Sequence, residues 1–184
     1  MRLLSLEDAL ETYLQQPTPA RFAALRDMVV DLESYSPSPL VIAELTKLLD
    51  AGQHHEVLNR VDDLMPAWAI CPRVHFIAGA AAEALGDFEE VELRRFLTTS
   101  CLEGIRNSGQ GTRQRPWLAT YPSDLQDCLR SLGLTATSQQ LIDAGEAVLD
   151  VISANNGRQY FFNVTAMVAA IGEAATAEVA AVRS

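Results

Sequence analysis

Two glycines, Gly52 and Gly86, stand 34 residues apart, and each closes one apolar periodic stretch and opens another. Around them Leu48-Leu49-Asp50-Ala51-Gly52-Gln53 aligns with Ala82-Glu83-Ala84-Leu85-Gly86-Asp87. Glycine suits such a junction because the residue that ends a helix often takes positive φ, which a Cβ penalises. The same step backwards from Gly52 reaches Thr18, which with Pro19 makes a capped helix start with proline in the first turn. Ala23, Val57 and Val91 then fall in register five residues on. This period constrains the fold more than any other feature, because it implies three helix pairs that bury their apolar stripes against one another.

The apolar spacing within that frame is helical. Leu6, Leu10 and Tyr13 or Leu14 form one stripe; Phe22, Leu25, Val29 and Leu32 another; Ile42, Leu45 and Leu49 a third. Val57, Val61 and Leu64 follow, then Val74, Ala78, Ala81 and Leu85, then Leu93, Phe96 or Leu97, Cys101 and Ile105. Ser5 with Asp8 reads as a capping box, and Ser38-Pro39 repeats the Thr18-Pro19 start. Pro66 and Pro72 bracket a break around Trp68, which is expected to plug the core between pairs. About six helices therefore fill residues 3 to 106.

Residues 72–105, with Gly79, the turn Gly86-Asp87-Phe88 and Glu90, resemble a tetratricopeptide repeat, a helix-turn-helix unit of 34 residues. The two earlier pairs are similar to it more distantly. The resemblance implies a groove lined by the first helix of each pair, where Thr46, Asp50, Arg73, Phe76 and Glu83 would project toward a partner segment.

After Ile105 the composition changes. Residues 1–105 hold 17 acids and 8 bases, whereas 106–184 hold 7 acids and 6 bases, so the negative charge belongs almost wholly to the helical part. The polar run Asn107-Ser108-Gly109-Gln110-Gly111-Thr112 marks the boundary, dividing 1–106 from a small α+β segment at 107–184. Trp117-Leu118-Ala119-Thr120-Tyr121 is β-prone, and Pro122-Ser123-Asp124 starts a helix carrying Leu125, Cys128, Leu129 and Leu132 to a stop at Gly133. Alternation around Leu149, Val151 and Ser153, then again across Tyr160-Phe161-Phe162-Asn163-Val164, predicts a hairpin turning at Asn156-Gly157. A two-residue turn there would pair Val151 with Phe162 and Leu149 with Val164 on the face toward the helices, and Asp150 with Asn163 on the other. From Ala166 onward an alanine-rich tail has Val168, Ile171, Ala175 and Val179 at helical spacing. The fold class is α+β, mostly α.

Gly109-Gln110-Gly111-Thr112, Pro116-Trp117, Pro122-Ser123-Asp124, Leu129-Arg130-Ser131-Leu132-Gly133, Gln139 or Gln140 with Leu141, Asp150-Val151 and Phe162-Asn163-Val164 also resemble a small bacterial domain of unknown function. That domain is found after tetratricopeptide-like helices, and the likeness implies no activity.

The formal net charge of −10 repels phosphate backbones and anionic lipids, so neither nucleic acid nor a membrane surface is the expected partner. Acids interrupt the first apolar run before a secretory core accumulates, and Cys71, Cys101 and Cys128 lack the number and spacing of a disulfide framework. Reduced thiols in a cytoplasm are expected. Cys101 and Cys128 lie on apolar stripes and read as core, while Asp62-Asp63 and Glu89-Glu90 read as solvated faces. His54, His55, His75 and the cysteines do not share a ligand spacing; Cys71 and His75 stand four apart, but Pro72 opens the helix between them. No catalytic residue, metal or cofactor is assigned.

The expected function is non-enzymatic: a protein partner held on the helical surface. The alternative is a small-ligand or anion site, or an enzyme, with a pocket between the helices and the C-terminal segment near Trp117, Asp150 and Asn163. The loop Gly109-Gln110-Gly111-Thr112 with Arg113 and Arg115 is the candidate anion cradle. Self-association as a homodimer is a third expectation.

Overall fold

The computed structural model describes residues 5–172. The first three helices start where capping chemistry dictates. Ser5 and Asp8 exchange the two bonds of a capping box at the start of α1 (Leu6–Gln15). Thr18 and Ser38 accept backbone amides at the starts of α2 (Pro19–Val30) and α3 (Pro39–Asp50). Helices α4 (His54–Asp63), α5 (Pro72–Leu85) and α6 (Phe88–Asn107) complete the helical part. Gly52 and Gly86 occupy equivalent bends, with φ of 70° and 76°. Each is followed by an amide that returns to the same carbonyl position, Gln53 N to Leu48 O and Asp87 N to Ala82 O, both at 3.0 Å. Residues 64–70 form the break around Trp68, which is buried.

The pairs do not stack in chain order. Helices α3 and α4 pack on α5, but the α1–α2 hairpin docks on α6. Tyr13 donates its hydroxyl to Ser100 O at 2.7 Å, and the Phe22 ring lies where a side chain on Gly104 would stand. The 20 residues of α6 explain this: at 1.5 Å each they span about 30 Å, twice the reach of a ten-residue helix, so its second half extends past the shorter helices and offers a free face. The third pair therefore occupies the middle. Along α6, Leu97, Cys101 and Ile105 are buried, while Leu93 and Phe96 from the same expected stripe stay about half exposed.

The C-terminal part adds β1 (Trp117–Leu118), α7 (Pro122–Ser131), β2 (Ala136–Asp143), β3 (Val148–Ala154), β4 (Gln159–Asn163) and α8, residues 165–172. Sheet order is β1-β4-β3-β2, with β1 parallel to β4 and the other pairs antiparallel. The positions Ala175 and Val179 of the expected terminal stripe lie outside the described residues. Helix α7 ends at Gly133, φ 70°, as its sequence indicates.

The hairpin register differs from expectation by one residue. Ala154 N bonds Arg158 O and Gly157 N bonds Ala154 O, both at 2.9 Å, enclosing a three-residue loop in which Gly157 takes φ 77°. Asn155 is withdrawn from the turn because its amide and side chain bond Thr135 at the start of the neighbouring strand. Since side chains alternate every residue, that single extra residue changes every partner. Val151 faces Phe161, Leu149 faces Asn163, and Asp150 faces Phe162. The face packed into the main core is the one bearing Ile152 and Phe162, so Asp150 points inward with them. Strand β2 was not foreseen; its polar, largely exposed ATSQQLID run is an edge strand held by ladder bonds to β3 rather than by burial.

One buried cluster runs from Ala9 through the helices to Met167. Residues 119–124 enter the middle of it. Arg26 Nη2 bonds Ala119 O at 3.0 Å, Tyr35 Oη bonds Thr120 O at 2.6 Å, and Tyr121 Oη bonds Ala67 O at 2.6 Å. Trp68 stacks on Tyr121 with ring centres 4.6 Å apart. The C-terminal segment thus fills the space between α2, the Trp68 turn and α5.

Placing a side chain at Gly104 forces the Phe22 ring and the Tyr13 hydroxyl away from α6. Gly104→Ala is expected to destabilise the fold by about 1–3 kcal/mol, the usual cost of overpacking, read as a lower urea midpoint. Gly52→Ala meets no neighbouring atom and is expected to lose about 1 kcal/mol through its positive φ alone.

Candidate functional site

Among the residues expected to line a groove, Arg73, Phe76 and Glu83 share one face of α5, because steps of three and seven residues stay within one helical side. Two adjoining clefts of about 230 Å³ each meet at Phe76, whose ring is 60% exposed. The first is lined by Pro72, Arg73, Thr98, Leu102 and the end of α7, Asp127, Arg130 and Ser131. The second runs along Gly79, Ala80 and Glu83 on α5, with Val91, Arg95 and Thr99 on α6. Thr46 and Asp50 stand apart from both. They are exposed on α3, and the Thr46 hydroxyl is spent on Ile42 O at 2.7 Å.

Residues of α6 and α7 in these clefts were missed from the sequence. Val91, Arg95, Thr98 and Leu102 recur at helical spacing, so their stripe was legible, but the more apolar stripe through Leu97 and Cys101 drew the reading of α6. Asp127 and Arg130 carry no local signal, since only the fold brings α7 across α5. The link is explicit: Asp127 accepts two bonds from the Arg73 guanidinium, with Nε at 3.0 Å from Oδ2 and Nη2 on Oδ1. Arg130 approaches the same carboxylate at 3.9 Å. Hydrogen bonding to Asp127 raises the pKa of Arg73 further, so the guanidinium stays charged.

Of the groups with the largest shifts, Asp124 and the three thiols lie away from the clefts, whereas His75 borders the second. Asp124 is fully buried, and its Oδ2 accepts the amides of Thr120 and Tyr121 at 2.8 and 2.9 Å. Burial outweighs those two bonds and pushes its pKa up to about 7. His75 is enclosed between Ala69 O, 2.8 Å from Nε2, and the Arg94 guanidinium, 3.2 Å from Nδ1. That arrangement suits a neutral ring protonated on Nε2, and burial holds its pKa near 4. Cys71, Cys101 and Cys128 are buried and free, and desolvation raises all three thiols, Cys128 to about 12. Such thiols are poor nucleophiles. Among the described residues no group of three or more His, Cys, Asp or Glu side chains converges as metal ligands would.

The glycine loop is built for packing. Gln110 and Thr112 both direct their amides at Arg115 O, and Gly111 O accepts the Phe161 amide. Gly111 itself, at φ 65°, lies so close to Trp117 that a Cβ would stand 2.9 Å from the indole. The amides of Gln110 and Thr112, donors an anion would need, are therefore engaged. Trp117 and Asp150 are buried on the inward face, where Gln139 Nε2 bonds Asp150 Oδ2 at 2.7 Å. Asn163 faces the other way and its Oδ1 accepts from Thr165. The sheet does not gather these three residues around one point.

Among the described residues no helix is long and apolar enough to cross a membrane. No family model, no curated protein and no solved structure matches the chain.

Asp124 and His75 set opposing pH dependences. Between about pH 4 and 7 folded Asp124 holds a proton that an unfolded aspartate has lost, so its contribution to stability declines as pH rises. Between about 4 and 6.5 folded His75 lacks a proton that an unfolded histidine binds, so its contribution declines as pH falls. Asp124→Asn is expected to make the urea midpoint rise more steeply from pH 4.5 to 6.5, and His75→Gln to make it fall. Unchanged slopes in both variants would show that neither group titrates as its burial requires.

Proposed function

We propose that this chain is a non-enzymatic, cytoplasmic protein-interaction module of tetratricopeptide-like type, and that its partner segment lies in the paired clefts between α5 and α6. The observation that carries this reading is Phe76, an aromatic side chain 60% exposed at the junction of two apolar clefts. Aromatic side chains are over-represented among residues that dominate binding energy, and a central exposed one flanked by cavities offers an anchor in both directions. Arg73 and Glu83, at the two ends of the same helical face, supply polar limits. Residues 119–121 take up the space between α2 and the Trp68 turn, while the α5–α6 face stays open to a partner.

The test separates binding from folding. Arg73→Glu would also break the Arg73–Asp127 link between α5 and α7, so Phe76→Glu and Glu83→Arg are the cleaner variants. With the full chain as bait, proximity labelling in cells and pull-down are expected to lose partners with Phe76→Glu while the thermal midpoint stays within a few degrees of wild type. Identical partner sets for wild type and both variants would remove the clefts from consideration.

A further inference from the structure

The clefts carry a charge unlike the rest of the molecule. Their ionised lining is Arg73, Arg95 and Arg130 against Asp127 and Glu83, an excess of one base in a chain of net charge −10. The excess is localised. Arg73 claims both oxygens of Asp127, so Arg130 keeps only a long contact of 3.9 Å to that carboxylate and remains 64% exposed at the cleft mouth. Arg95, 67% exposed, borders the second cleft and pairs with Glu92, which does not line it. By contrast, the shallow cleft between α1 and α6 is bordered by Glu7 and Glu11 with no base.

The dimensions also select. The α5 lining runs from residue 72 to 83, about 16 Å of helix axis, the length of a helical segment of about eleven residues. On the α5 side the second cleft is lined by Gly79 and Ala80, small residues that add little bulk to that wall. Both walls are helices, with no open strand to extend, so helix-in-groove docking fits and strand addition does not.

Resting on the interaction reading above, we propose that the partner is a short acidic amphipathic helix, with two apolar side chains on one face straddling Phe76 and a carboxylate reaching Arg130. The apolar pair fills the two clefts. The carboxylate takes the guanidinium that Asp127 leaves underused, a charge-assisted contact at a partly desolvated edge.

The experiment is selection of phage-displayed random 12-residue peptides on the full chain, followed by fluorescence anisotropy with the enriched sequences as synthetic peptides. Enriched peptides are expected to carry two large apolar residues at helical spacing and a net negative charge, and to gain helical circular dichroism on binding. Affinity is expected to fall at least tenfold with Phe76→Ala and with Arg130→Glu, and to stay unchanged with Arg113→Glu on the exposed glycine loop. Replacing the critical acid of the peptide by lysine should weaken binding to wild type and restore it to Arg130→Glu. Peptides that depend on Phe76 but are indifferent to Arg130→Glu, or that bind without becoming helical, would overturn the acidic-helix inference and leave the clefts as the site. Peptides indifferent to Phe76→Ala would overturn the cleft reading itself. Failure to enrich any sequence would overturn both.

Discussion

Residues 119–121 cross the interior between β1 and α7, where neither a helix nor a strand ladder pairs all their amides and carbonyls. Left unpaired there, each group would cost about 1–3 kcal/mol, enough for a few of them to exceed the margin by which a domain of this size is stable. Three side chains from separate places remove that cost. Arg26 and Tyr35 reach the carbonyls of Ala119 and Thr120, and Asp124 folds back onto the amides of Thr120 and Tyr121. Tyr121 then returns a bond to Ala67 and stacks on Trp68. Asp124 bears the burden of this arrangement. Its carboxylate is sealed from water, and the proton it holds near neutral pH belongs on Oδ1, the oxygen no amide reaches.

Much of the remaining structure follows from that strap. It delivers β1 to the edge of β4 and starts α7 at Pro122, so that α7 crosses the end of α5. Arg73 and Asp127 lock the crossing. The first α5–α6 cleft owes one wall to this crossing, because Asp127, Arg130 and Ser131 come from α7. The interior and the proposed binding face are thus two consequences of one placement. The raised Asp124 carboxyl sits in the first, and the exposed guanidinium groups of Arg95 and Arg130 border the second.

The helical part shows how a local period and a global packing order separate. Equivalent bends at Gly52 and Gly86 come from a glycine requirement that acts within six residues. The docking of α1 and α2 on α6 depends instead on Gly104, whose missing side chain admits Phe22 and Tyr13 from about eighty to ninety residues away. A glycine in the middle of a long helix carries no such message in the sequence. The Asn156-Gly157 hairpin makes the same point at smaller scale: both strands and the turn site were legible, but Asn155 is drawn toward Thr135, and that tertiary bond set the register.

By itself the sequence determined where helices begin and end, which stripes face inward, and that the chain is mostly helical with a hairpin beyond residue 106. Those properties depend on capping, glycine φ and side-chain periodicity, which act between near neighbours. Of the candidate site it offered Arg73, Phe76 and Glu83 through the tetratricopeptide resemblance, and the structure puts these three on one face of α5. It could not show that Thr46 and Asp50 lie elsewhere, that α7 supplies Asp127 and Arg130, or that Asp150 turns toward the core. These were decided when distant segments competed for the same buried volume and the same carbonyl groups, and the winning arrangement is a property of the assembled interior.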